Sequence, residues 1–303
     1  MPPSYLDDMF DDHLSALLSF RVLGPVQAWC RGAELQLGSA QQRTTLAMLL
    51  LREGMVVSLD ELIAGMWGDE PPRSAVTTIR TYVCRLRATL AAAGVAEVAQ
   101  LASVGGGYVL HTAPDALDLS RFRRHAALGA KAARVGNWPA AAAHQRCALD
   151  LPKGQPLAGA LGPYVAGQRA RLEQLVTTAQ VDLCTAEINL GRHREVLPEL
   201  AAMATTYPLC EDVQALFMTA LYNSGRVAEA LAHYQKSRRT LVDDLGIEPG
   251  PRMRELHQRI LASDPSLAAP SAAAGLPRRR PSRPGWGPRQ HQVRMAQRRK
   301  PRS

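Results

Sequence analysis

Long apolar runs are lacking: the stretch Leu46–Leu51 is far shorter than the ~20 residues a helix needs to cross a bilayer. A membrane-spanning class is therefore not expected. Cysteine is sparse. The five thiols, Cys30, Cys84, Cys147, Cys184 and Cys210, are odd in number and never spaced as C-x-x-C, which argues against a disulfide framework and against a zinc site. Reduced thiols in a cytoplasm fit that usage. The N-terminus carries Asp7, Asp8, Asp11 and Asp12 and no basic cluster before an apolar run, so it does not read as a signal peptide. Catalytic signatures are missing too. The eight histidines form no H-E-x-x-H or ligand-spaced cluster, and neither a G-x-S-x-G elbow nor a G-x-x-x-x-G-K-[ST] loop occurs. Gly105-Gly106-Gly107 lacks the strand-and-helix context of a nucleotide cradle. No enzyme, cofactor or metal is expected.

Excess charge is absent from most of the chain. The formal net charge is +9, but residues 264–303 hold ten basic residues against one acid, Asp264, which accounts for all of it. A pI near 9.7 is thus no sign of a basic folded domain. Any nucleic-acid reading must come from local patterning.

What is present is a two-part organisation, as expected for 303 residues with 46% apolar content. Residues 1–19 read as a flexible acidic extension. Phe20–Val26 and Ala33–Leu37 read as short strands, with a turn at Arg31-Gly32. Three helical patterns follow. The first runs from about Ala40 to Glu53, and the second opens with the capping box Ser58-Leu59-Asp60-Glu61 and ends at Trp67-Gly68. The third, Ser74 to about Leu90, places Val76, Ile79, Val83, Leu86 and Leu90 on one face by their spacing of 3 and 4. The opposite face collects Ser74, Thr77, Thr78, Thr81 and Arg85, with Arg80 and Arg87 on the flank and no acid anywhere in the helix. Short hydroxyls among arginines suit a major groove; the alternative is an ordinary solvated face. Val98–Leu101 and Tyr108–His111 then read as a hairpin, the wing.

Two strands, three helices and a hairpin are the order of a winged helix-turn-helix. The run Pro71-Pro72-Arg73-Ser74 through Thr81-Tyr82-Val83-Cys84-Arg85-Leu86-Arg87, then Gly107-Tyr108, resembles the OmpR/PhoB-type DNA-binding domain. By that resemblance Thr77, Thr78, Tyr82, Arg85 and Arg87 take recognition-helix contact positions, and Trp67 and Tyr108 flanking ones. Arg87, nearer the packing face, is expected on a backbone phosphate. The wing departs from the pattern, with Ala102 and Val104 where relatives often carry threonine and arginine.

From about Asp118 the chain turns alanine- and leucine-rich, and a repeat emerges. Gly191 and Gly225 lie 34 residues apart, each followed at +5 by Val196 or Ala230 and at +9 by Leu200 or Tyr234, a tetratricopeptide-like spacing; the alternative is an undifferentiated helical bundle. An earlier copy starts at Gly136 with Ala141 at +5, and a Gly- and Pro-rich stretch from Gly154 to Pro163 reads as an inserted loop. Stacked units of this kind share one core and present a concave protein-binding surface.

Leu117-Asp118-Leu119-Ser120-Arg121-Phe122, Tyr207-Pro208-Leu209-Cys210-Glu211, Ala220 to Arg226 and Leu245-Gly246-Ile247-Glu248-Pro249-Gly250-Pro251 resemble the bacterial transcriptional activator domain of the actinobacterial antibiotic regulators called SARPs, the AfsR/DnrI/RedD family. Pro152 departs from that pattern, which often has tryptophan there. The chain resembles the short form, without the ATPase module of larger relatives.

The expected architecture is mainly α: a winged helix-turn-helix at 20–112, an all-α tetratricopeptide-like repeat domain at 113–263 and a disordered basic tail at 264–303. Residues 20–112 are expected to hold a complete small core. The resemblance implies a cytoplasmic, nucleoid-associated activator of a secondary-metabolite (antibiotic) gene cluster. It would bind promoter direct repeats in double-stranded DNA as a head-to-tail homodimer and recruit RNA polymerase holoenzyme. The other reading is a repeat-protein adaptor whose winged helix binds protein; salt-dependent duplex binding separates the two.

Overall fold

The first sheet of the fold is made by hydrogen-bonding strands that begin earlier than their apolar pattern suggests. In this computed structural model, which describes residues 17–267, β1 (Leu18–Arg21), β2 (Gln27–Cys30) and β3 (Ala33–Glu34) pair antiparallel in that order. Leu18 and Ser19 thus belong to the sheet and not to an extension, and of the stretch Phe20–Val26 only Phe20 and Arg21 are strand, the remainder forming the connection to β2. The rest of the acidic extension, and the basic tail beyond Leu267, lie outside the described residues.

Helices α1 (Ala40–Leu51), α2 (Leu59–Trp67) and α3 (Ala75–Ala92) follow. The capping box at α2 is present in full: Ser58 Oγ accepts from Glu61 N and the Glu61 carboxylate accepts from Ser58 N. Immediately before α2, β4 (Val57–Ser58) adds a third strand to the wing hairpin, β5 (Ala99–Val104) and β6 (Gly107–Thr112), in the order β4-β6-β5. Gly105 and Gly106 close that hairpin at φ 53° and 84°, the left-handed pair a two-residue turn of matching twist demands.

One spacing-based expectation is corrected. Val76 is 37% exposed, and the inward face of α3 is instead Ala75, Ile79, Tyr82, Val83, Leu86 and Leu90. Val76 lies at the margin of the face that Ala75, Ile79 and Val83 bury. Tyr82 takes the inward place, its ring buried and its hydroxyl donating to Gln41 Oε1 of α1 at 2.6 Å.

The second half is helical: α4 (Asp118–Arg134), α5 (Trp138–Leu149), α6 (Pro163–Asn189), α7 (His193–Thr206), α8 (Glu211–Asn223), α9 (Val227–Leu245) and α10 (Pro251–Leu261). Gly136, Gly191 and Gly225 each join two helices with φ of 72°, 81° and 80°. The +5 residues Ala141, Val196 and Ala230 are all buried, as are the +9 residues Gln145, Leu200 and Tyr234. The extra length between the first two glycines is shared between the loop 150–162 and the 27 residues of α6.

That loop is a strap and not an excursion. Lys153 N donates to Leu23 O (2.9 Å), Leu157 N to Val22 O (3.0 Å), and Val26 N to Ala158 O (2.9 Å), so the segment runs beside the β1–β2 connection. Thr44 of α1 exchanges two hydrogen bonds with Leu161, at 2.7 and 2.9 Å. At the start of α6, a Cβ on Gly162 would lie 2.7 Å from Gly65 O and 2.8 Å from Met66 O, so α6 meets α2 backbone to backbone. Asp118, which opens α4, is buried and accepts from Val22 N and Leu23 N, both at 2.9 Å.

The largest apolar core is shared across residue 112. It runs from Phe20, Val22 and Leu23 through Leu46, Leu62 and Ile79 to Leu117, Phe122, Leu157 and Leu172. The core of residues 20–112 is therefore not the separate one expected but continuous with side chains beyond 112. A separate cluster of Met218, Leu221, Tyr234, Met253 and Ile260 organises the last helices, with Leu267 packed on it.

Within those last helices, Gln214 spans α7–α9. Its amide donates to Ala204 O and Tyr207 O, and its Oε1 accepts from His233 Nε2 at 2.7 Å. Burial pushes the His233 ring down to about 4. The unfolded chain binds this proton near pH 6.5 and the fold does not, so stability falls as pH drops from 6.5 towards 4. Urea midpoints for His233→Gln are expected to lose that part of the acid dependence, the gap between variant and wild type narrowing from pH 7.5 to 4.5.

Candidate nucleic-acid interface

Helix α3 carries Arg80, Arg85 and Arg87 with no acid among its 18 residues, and the structure divides its side chains sharply. Thr77, Arg80, Thr81, Cys84, Arg85 and Ala88 are exposed. At about 100° per residue they form one continuous face opposite Ile79, Leu86 and Leu90. Thr81 Oγ1 donates to Thr77 O, turning its methyl and an oxygen lone pair outward. Thr78 is half-buried at the margin, its hydroxyl near Ser74 Oγ at 3.4 Å.

The other residues expected at the interface sit differently. Tyr82 faces inward, as described above, so it is not on the exposed face. Arg87 is committed to the wing: Nε donates to Leu101 O (2.8 Å), Nη2 to Ser103 Oγ (2.9 Å), and the guanidinium lies 5.9 Å from the centre of the Tyr108 ring. Tyr108 and Trp67 are half-buried and pack against the core. Val104, at the wing tip, is 45% exposed. Of the expected residues Thr77, Thr81, Arg85 and Arg87 are exposed, Arg87 being tied to the wing, and the face also holds Arg80 and Cys84, which the family positions did not single out. Helical spacing alone places both within 60° of Thr77; what it could not supply is that Arg87 is occupied.

Among the described residues no group of three or more His, Cys, Asp or Glu side chains could hold a metal ion, and no helix is long and apolar enough to cross a membrane.

Residues 32–110 match the family described as transcriptional regulatory protein, C terminal, and residues 117–261 match the bacterial transcriptional activator domain. Over 257 residues the chain is 35% identical to the regulatory protein DnrI of Streptomyces peucetius, covering 82% of this chain and 94% of that protein. The chain belongs to the SARP family of transcriptional regulators.

The chain is also 44% identical over 264 residues to the regulatory protein AfsR of Streptomyces coelicolor, covering 87% of this chain but only 26% of AfsR. It thus spans about a quarter of that SARP's length and most of DnrI's. A solved structure, Mycobacterium tuberculosis EmbR in complex with a low-affinity phosphopeptide, superposes with a TM-score of 0.78 at 35% identity, over 82% of this chain and 66% of that one. The mainly helical fold, with an N-terminal winged helix followed by a helical activator domain, is thus one found in a solved relative.

Proposed function

We propose that the protein is a sequence-specific DNA-binding activator that lays α3 in the major groove of promoter DNA. The observation that carries this reading is the exposed face of α3: short hydroxyl side chains flanked by two guanidiniums, no carboxylate on the helix, and no protein partner for Arg85 among the described residues. Such a face approaches the groove floor closely and can donate to base edges. The helical half, tetratricopeptide-like in the register of Gly136, Gly191 and Gly225, supplies protein contacts. A cleft of about 430 Å³ between α6, α8 and α10, lined by Asp182, Thr219, Arg252 and Leu256, is one surface suited to them.

Family membership supports the finer reading: head-to-tail pairs on promoter direct repeats, recruitment of RNA polymerase holoenzyme, and control of a secondary-metabolite (antibiotic) gene cluster, in the cytoplasm at the nucleoid. Half-sites about one helical turn apart would bring two protomers to one face of the duplex.

Arg85→Ala is expected to weaken promoter binding by about 1–3 kcal/mol without altering thermal stability. Mobility-shift titration at fixed salt measures it. Equal affinity of wild type and variant would remove α3's outward face from the interface, and binding that ignores salt would point instead to a protein-binding winged helix.

A further inference from the structure

Three arginines on α3 are available by sequence, and the structure leaves two of them without a protein partner. Arg87 is held by two hydrogen bonds to the wing and by the Tyr108 ring. Arg80 and Arg85 are exposed, and neither guanidinium enters an ion pair among the described residues. They flank the Thr77–Thr81–Cys84 stripe on opposite sides. Five residues separate them, about 7.5 Å along the helix axis, which is about two base-pair steps of ~3.4 Å. A stripe of short side chains between two long cations lets the helix axis come near the groove floor, where both guanidiniums reach base edges and not only the phosphate walls.

We propose that Arg80 is a specificity-determining residue, reading a guanine through O6 and N7 about two base pairs from the one read by Arg85, while Arg87 serves as a positioning residue for the wing. The inference rests on the DNA-binding reading given above. The planar guanidinium fork matches the two guanine acceptors, and no acid on α3 competes for it. Arg87, by contrast, has Nε and Nη2 already occupied, so moving it to a phosphate would undo the contacts between α3 and β5.

The full-length protein, Arg80→Ala and Arg85→Ala can each be presented with a pool of randomised duplexes, the bound fraction sequenced, and affinities measured on the selected site and its single-base variants. Arg80→Ala is expected to keep the motif except at one guanine, where discrimination falls by about 5- to 150-fold. Arg85→Ala is expected to lose a different guanine. Because Arg80 is exposed and its guanidinium makes no hydrogen bond or ion pair among the described residues, unfolding of the variant should match wild type. Uniformly weaker binding with an unchanged motif and a salt slope smaller by about one would place Arg80 on phosphate and overturn the assignment; unchanged affinity would overturn it too. If Arg85→Ala alters the motif and Arg80→Ala does not, the DNA reading stands and the inference about Arg80 alone fails. A wild-type protein that selects no motif would remove both.

Discussion

A fragment ending at residue 112 is expected to show no cooperative unfolding transition, although it contains every strand and helix of the winged domain. Cutting there removes Leu117, Leu119, Phe122 and Leu157, all 3% exposed or less, from the core that holds Phe20, Val22 and Leu23. At about 1.5–3 kcal/mol for each buried side chain, the loss is about 6–12 kcal/mol. That is comparable with the whole stability of an ordinary domain, about 5–15 kcal/mol. The backbone partners of Val26 and Leu23 in the strap go with them. Circular dichroism during urea titration of residues 17–112 and of the full chain checks this. A steep, reversible transition in the fragment would show that the winged domain does not need the helical half.

Asp118→Ala in the full chain is expected to cost about 2–5 kcal/mol, because two buried amide protons, of Val22 and Leu23, lose their acceptor together. Burial raises the Asp118 carboxyl to about 6, with the two amides pulling the other way. Its linkage sign is opposite to that of His233. The fold holds a proton between about pH 4 and 6 that the unfolded chain has released, so this group's contribution to stability falls as pH rises through that interval. The difference in unfolding free energy between wild type and Asp118→Ala should therefore be largest at acid pH and shrink towards pH 7. Denaturant titrations at pH 4.5 and 7.5 measure it; a variant as stable as wild type at both would mean that the contact from α4 to the β1–β2 connection carries no load.

Features set by neighbours in the chain were legible in the sequence. The Ser58–Glu61 capping box is local hydrogen-bond chemistry, and it formed as written. The wing turn needs two left-handed residues, and glycines mark it. The repeat register of Gly136, Gly191 and Gly225 reports a shared helix-pair spacing, and its +5 and +9 positions are buried. Features set across the chain were not legible. Tyr82 takes a contact position by the family resemblance, yet its acceptor on Gln41 lies 41 residues away and the ring is buried against the core. Arg87, on the flank of the helix, reads as a phosphate-binding cation until β5 is placed beside α3, which puts Leu101 O and Ser103 Oγ within its reach. The loop 150–162 has the glycine and proline content of an insertion, and only its pairing with residues 22–26 makes it structural. For the interface, the helix and its outward direction followed from periodicity, whereas the choice among its arginines required the tertiary structure.

Cys84 offers the most direct test of the DNA-reading face, because it lies exposed in the centre of that face while Cys147 and Cys210 are exposed elsewhere and Cys30 and Cys184 are buried. The alkylation rate of each thiol can be followed by mass spectrometry on the free protein and on the protein saturated with a selected promoter duplex. With α3 in the major groove, alkylation of Cys84 slows sharply in the complex while Cys147, on α5 of the helical half, reacts at its free rate. Cys84 reacting equally fast in a saturated complex would contradict the placement of α3 on DNA.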